Sequence, residues 1–160
     1  MRRHIFAAFL LGAMGTVVAS PWETGTINNL RGVHLVVIVE GFSDVDAEGY
    51  KYLIYSLNAA GVPFVSGEVG EFDDKVLGYK GAKPLGLIKI SSDQVGDNKS
   101  WGAYLNEIRV RSVGSSFPSS FDIYRDNKLS YVEYKKFDSE TMSSMRSLID
   151  KFIKTYKSVN

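Results

Sequence analysis

Residues Asp122–Glu133 read Asp-Ile-Tyr-Arg-Asp-Asn-Lys-Leu-Ser-Tyr-Val-Glu. Two structures can be written with these letters, and they imply different chemistry. A calcium-binding loop of the EF-hand kind has this length, an Asp at position 1 and a bidentate Glu at position 12. Counted that way, Asp122, Asp126, Ser130 and Glu133 fall at positions 1, 5, 9 and 12, with Leu129 at the usual aliphatic position 8. Against this, Tyr124 stands where a third oxygen ligand is wanted, and Asn127 stands where Gly is the rule. A helix must also lead in. Residues 112–120 (SVGSSFPSS) carry Gly, Pro and five serines and no helical period. The alternative is a β-hairpin with Asp126-Asn127 as a two-residue type I′ turn, a turn that favours Asn and Asp because both positions need positive φ. Strands 121–125 and 128–132 would then pair. The sequence favours the hairpin and keeps calcium, through Asp122, Asp126, Ser130 and Glu133, as the alternative.

Working outward, residues 32–40 (GVHLVVIVE) are β-branched and apolar on both parities, which predicts a central strand covered on both faces. Ser43, Asp44 and Asp46 suit a helix start. Tyr50, Leu53, Ile54 and Leu57 then follow at helical spacing, with Gly61 and Pro63 as the stop. Residues 62–65 (VPFV) predict a short strand whose proline confines it to an edge or a strand start. Residues 66–84 form the longest irregular stretch. Residues 85–90 (LGLIKI) predict another strand. Tyr104, Asn106, Ile108 and Val110 alternate with Leu105, Glu107, Arg109 and Arg111, which predicts a half-exposed antiparallel strand with one charged face. Met142, Met145, Ile149, Phe152 and Tyr156 repeat at three- and four-residue steps after a cap at Asp138 or Ser139, which predicts a closing helix packed on the sheet. The element order predicts an α+β fold: a mostly antiparallel sheet of about five strands with two helices packed on one face.

The N-terminus reads as a leader. Arg2 and Arg3 precede an apolar run over residues 5–18, and Val17-Val18-Ala19 suits cleavage after Ala19. The run is shorter than the roughly 20 residues that a spanning helix needs. Residues 1–19 are therefore assigned to a signal peptide, 20–30 to a tail and 31–160 to a single domain. The expected location is the periplasm or the medium, with no membrane span after processing. The chain has 19 basic and 18 acidic residues; without Arg2 and Arg3 the basic count is 17, which argues against nucleic-acid binding. It contains no Cys, and His34 is the only His once His4 leaves with the signal. Thiolate catalysis, disulfides and His-cluster zinc sites are thereby excluded.

The remaining candidates are few. Glu68, Glu71, Asp73 and Asp74, with Tyr79 and Lys80, make the long loop a candidate partner-binding segment. Its carboxylates could also serve a hydrolase as an acid–base pair. Gly78-Tyr-Lys-Gly81 matches a GxxG pattern of RNA-binding loops, on its own a weak signal. His34 inside an apolar strand reads as a satisfied sheet residue. Arg109 and Arg111 with Glu107 read as a cross-strand charge ladder. No Gly-x-Ser-x-Gly elbow places a nucleophile.

The helix ending Leu57-Asn-Ala-Ala-Gly-Val-Pro-Phe-Val65, the antiparallel middle and the closing Ile149-Asp-Lys-Phe-Ile-Lys-Thr-Tyr-Lys-Ser-Val-Asn160 resemble small exported bacterial α/β proteins of uncharacterised function. The last is similar to that family's terminal Asp-x-Phe-Ile…Tyr…Asn ending. The strand–helix–strand start also resembles the envelope domains of the curli-secretion channel and the Tol propeller protein. These resemblances imply a cell-envelope role and no catalytic residues. The expected function is an exported envelope binding or assembly module that is not an enzyme, needs no cofactor and has an envelope protein as partner. A calcium-binding protein is the first alternative and a loop-carboxylate hydrolase the second.

Overall fold

The structure is a computed structural model that describes residues 30–39, 44–68, 84–97, 101–113 and 122–160. The elements run β1 (His34–Val39), α1 (Asp44–Ala59), β2 (Phe64–Glu68), β3 (Leu85–Asp97), β4 (Trp101–Val113), β5 (Asp122–Glu133), a 3-10 turn (Tyr134–Lys136) and α2 (Phe137–Val159). The five strands form one sheet in the order β2-β1-β3-β4-β5. β1 is parallel to both neighbours, and β3, β4 and β5 form an antiparallel meander with much the longer ladders. Both helices pack on one face. The fold is α+β, as the element order predicts.

The core between helices and sheet is set by period. Leu35 and Val37 from β1, Ile88 and Ile90 from β3, and Ile108 and Val110 from β4 meet Tyr50, Leu53 and Leu57 of α1. Met145, Ile149, Phe152 and Tyr156 of α2 complete it. The alternate residues of β1 and β3, Val36, Ile38, Leu85 and Leu87, make a second buried cluster on the opposite face with Val113. β1 is thus covered on both faces, as its unbroken apolar run predicts. Gly61 sits at φ 67°, the left-handed turn that ends α1.

Four expectations need correction. First, Asp126-Asn127 is not a hairpin tip: β5 is one uninterrupted strand of 12 residues, paired with β4 from Trp101↔Glu133 to Arg111↔Asp122. No described non-glycine residue has positive φ, whereas a type I′ turn needs it at both central positions. Local turn preference yields here to an antiparallel ladder that runs through Ile108↔Asp126 and Glu107↔Asn127. Second, the calcium loop is not formed. Asp122 and Ser130 lie about 26 Å apart along an extended strand at ~3.3 Å per residue, and Glu133 alternates to the opposite face from Asp126 and Ser130. Third, β3 continues to Asp97 and β4 begins at Trp101, so both outrun the apolar segments that announced them. Fourth, α2 begins at Phe137 without a side-chain cap. The Ser139 hydroxyl instead donates back to the Lys136 carbonyl (3.0 Å).

The C-terminal end of α2 is tied to the start of the domain. The Tyr156 hydroxyl donates to the Val33 carbonyl (2.6 Å). The Asn160 amide donates to the Leu30 carbonyl (2.9 Å), and its Oδ1 accepts from the Gly32 N–H (2.6 Å). The Lys157 ammonium donates to the Ala60 carbonyl at the end of α1 (3.0 Å), a helix end with no basic residue of its own. The Asp-x-Phe-Ile…Tyr…Asn ending therefore has structural employment: Asp150 accepts from the Tyr52 hydroxyl, Phe152 is fully buried, and Tyr156 and Asn160 close the fold.

Gly86 of β3 is required by space. A Cβ there would lie 2.6 Å from Val33 Cγ1 and 2.7 Å from Val110 Cγ1. Both neighbours are β-branched and stiff at χ1. Gly86→Ala is expected to lower the unfolding free energy by about 1–3 kcal/mol, measured by urea denaturation.

Candidate interaction surface

The face of the sheet away from α1 and α2 is graded along its length. At the β1–β3 end it is apolar and buried. In the middle, Glu107 of β4 is 3% exposed although no described helix packs over it. Its carboxylate meets Arg109 Nη2 at 3.1 Å and Arg125 Nε at 2.6 Å. The Nε approach is off-axis, and Arg125 donates its hydrogen bond to Glu107 through Nη2 instead (3.4 Å). Arg111 Nε pairs with Asp122 at 3.1 Å across the strands. Cross-strand charge pairs are thus present, but the charged face of β4 is less exposed than strict alternation predicts.

At the β4–β5 end the same face becomes apolar and open. Tyr131 is 68% exposed, Leu129 46% and Trp101 37%. Strand alternation puts all three on this face. Pairing of Ala103 with Tyr131 and of Trp101 with Glu133 brings the two rings together, edge to face, with centroids 5.8 Å apart. Among the described residues β5 is also the last strand of the sheet, so its outward backbone groups form an edge. A long edge strand that carries exposed apolar side chains is a template for pairing with another chain.

The other side of β5 is committed to α2. Asp126 accepts from Lys151 (2.7 Å), and Ser130 bridges the Asn106 amide (3.4 Å) and the Ser144 hydroxyl (3.0 Å). With Asp122 on Arg111 and Glu133 near Lys136 (3.7 Å), the four residues of the calcium reading are engaged in four separate contacts. Among the described residues no three His, Cys, Asp or Glu side chains gather to hold a metal. Tyr124 packs on Phe152, and burial first, then the Asp126 charge, raises its pKa well above the usual tyrosine value. Burial raises Tyr156 in the same direction.

The other candidates from the sequence fall elsewhere. Glu68 is exposed at the end of β2, the opposite edge of the sheet. Glu71, Asp73, Asp74, Tyr79 and Lys80 lie outside the described residues, as do the GxxG pattern, Ser43 and the signal segment. His34 opens β1 half-buried, its backbone N–H on the Pro84 carbonyl (2.8 Å). A shallow groove of ≈ 560 Å³ runs between the C-terminal ends of the helices, beside Tyr55, Ala59, Ile153 and Lys154. Sequence reasoning missed Trp101, Leu129 and Tyr131 as a surface. Their odd parity was the available signal, but the hairpin reading ended the ladder at Asp126 and hid it.

Two measurements follow from these contacts. Millimolar calcium is expected to leave the thermal midpoint unchanged, since the oxygen donors of β5 do not converge. The raised tyrosines predict an alkaline weakness. Each holds its proton more tightly folded than unfolded, so its contribution is complete below the unfolded value near 10 and is lost as pH rises beyond it. The urea midpoint should fall between pH 9 and pH 11, and Tyr124→Phe should flatten that fall.

No family model and no curated protein matches this chain. Among solved structures it is similar to a PelC dodecamer from Paraburkholderia phytofirmans, at 12% identity and TM-score 0.45, over 79% of this chain and 90% of that one. It is also similar to the hypothetical protein CT253 from Chlamydia trachomatis, at 12% identity and TM-score 0.35, over 81% and 93% of the two chains. At this level the likeness is one of general layout and says nothing of what the chain does.

Proposed function

We propose that this chain is an exported binding or assembly module of the bacterial cell envelope, without catalytic activity of its own. It works through the face away from α1 and α2 at the β4–β5 end and the outward edge of β5. The observation that carries this reading is the coincidence, on one edge strand, of exposed Leu129 and Tyr131 with the Trp101 ring beside them. Aromatic anchors of this kind dominate binding energy when a partner desolvates them. The envelope part rests on the basic-then-apolar pattern of residues 1–19 and on the resemblance of the strand–helix–strand start to envelope domains. Among the described residues, His34 is held in the sheet and the carboxylates of Glu107, Asp122 and Asp126 are paired with Arg or Lys, which supports the non-catalytic part. No described helix is long and apolar enough to cross a membrane.

The test compares surface variants in a capture experiment from envelope extract. Tyr131→Lys should weaken recovery of bound protein by at least about tenfold, while Tyr55→Lys, equally exposed on α1, should not. Equal recovery with Tyr131→Lys would remove the surface from the reading. The mass of the protein recovered from the periplasmic fraction should correspond to a chain that starts at Ser20.

A further inference from the structure

We infer that the occupant of this edge is a second copy of the chain, added antiparallel to β5 about a two-fold axis that passes beside Leu129. The inference rests on the interaction surface proposed above and names its partner.

The edge is self-complementary in one register. Antiparallel pairing about a two-fold perpendicular to the sheet matches residues of the same face, so only pairings that keep parity are allowed. Centred on Leu129, Leu129 faces Leu129 of the second copy, Tyr131 faces Asn127, and Glu133 faces Arg125. The two apolar side chains of β5 left exposed in the single chain, Leu129 and Tyr131, then meet across the axis. Each Tyr131 lies diagonal to the Leu129 opposite, within reach of an aromatic side chain. Glu133, 68% exposed at its side chain, gains an arginine. Arg125 uses Nε and Nη2 toward Glu107 and keeps further N–H donors in its fork. The pairing of charges occurs twice by symmetry.

Neighbouring registers pair charges less well: centred on Ser130, Leu129 faces Tyr131, but Glu133 faces Asn127 and gains no arginine. Centred on Lys128, the pairing sets two ammonium groups face to face, which is destabilising. Centred on Asn127, it sets Leu129 against Arg125 and Tyr131 against Ile123, which is already 6% exposed inside its own chain. It would also ask Asp126, held at 2.7 Å by Lys151, to take Lys128 of the other copy. The register on Leu129 joins two sheets into one of ten strands with all helices on one side. Its contact is a narrow strip, so the dimer is weak and reversible.

The sequence contains no Cys, which makes the register directly readable by single thiols. Sedimentation of the purified protein should show mass rising from one chain toward two with concentration, and Leu129→Lys should abolish the rise. Under mild oxidation Leu129→Cys should form a covalent dimer at least about tenfold faster than Tyr55→Cys, because directly opposed residues fall inside the Cα separation that a disulfide spans. Asn127→Cys and Tyr131→Cys should each cross-link slowly alone and rapidly when mixed. A chain that stays monomeric at all concentrations overturns the inference, as does Leu129→Cys that cross-links no faster than Tyr55→Cys. Rapid cross-linking of Asn127→Cys with itself overturns the register. If the chain is monomeric and Tyr131→Lys still abolishes envelope capture, the dimer falls and the surface reading stands. If both fail, the surface reading falls too.

Discussion

The ladder between β4 and β5 is the constraint on which the rest depends. It runs without a break from Trp101↔Glu133 to Val110↔Tyr124 before one irregularity at Arg111. An uninterrupted strand has a fixed period of two, and that period assigns every side chain from Tyr124 to Glu133 to a face. Tyr124, Asp126, Ser130 and Val132 go toward α2. Arg125, Asn127, Leu129 and Tyr131 go away from it. The same assignment that seats Tyr124 on Phe152 leaves Leu129 and Tyr131 in solvent. Core packing and surface exposure are two consequences of one register.

α2 converts that register into a stable domain. Its stripe from Met145 to Tyr156 fills the space between α1 and the sheet, and truncating a fully buried residue such as Phe152 to Ala would cost about 3–5 kcal/mol. The polar side of the same helix reaches the sheet through Ser144 and Lys151, and its end reaches the chain start through Tyr156 and Asn160. The contacts of Tyr156 and Asn160 join residues more than 120 apart in the chain. They fix the N-terminal segment against the helix that closes the fold. On the opposite face of β5, Arg125 is engaged with Glu107, while no described helix covers Leu129 and Tyr131, which stay exposed to a partner.

Much of this was legible in the letters. The apolar run of β1, the 3–4 spacing of α1 and α2, and the alternation of β4 each follow from hydrophobic period, and each element forms where its period lies. Residues 122–133 did not yield to that treatment. Asp126-Asn127 is a turn dipeptide by local preference, and only pairing with Ile108 and Glu107 shows that the chain passes straight through it. Gln94, Gly96 and Asp97 likewise have poor strand propensity, yet they extend β3 because β4 offers a long partner. The burial of Glu107 was illegible for a different reason. A charged residue on an alternating strand reads as exposed, and the two arginines that cover its charge come one from its own strand and one from a strand 18 residues away. The candidate surface inherited the hairpin error. With the strand cut at Asp126, Leu129 and Tyr131 belong to a short return arm rather than to a long edge.

Residue-resolved amide hydrogen exchange across residues 124–132 tests the central claim, that β5 is a continuous edge strand. In dilute protein every second amide, bonded to β4, should exchange slowly while the intervening ones exchange fast. The intervening amides should slow as the protein is concentrated. Two slow segments that meet at fast-exchanging Asp126 and Asn127 would contradict the continuous strand, and intervening amides that stay fast at every concentration would contradict its role as an edge that takes a second chain.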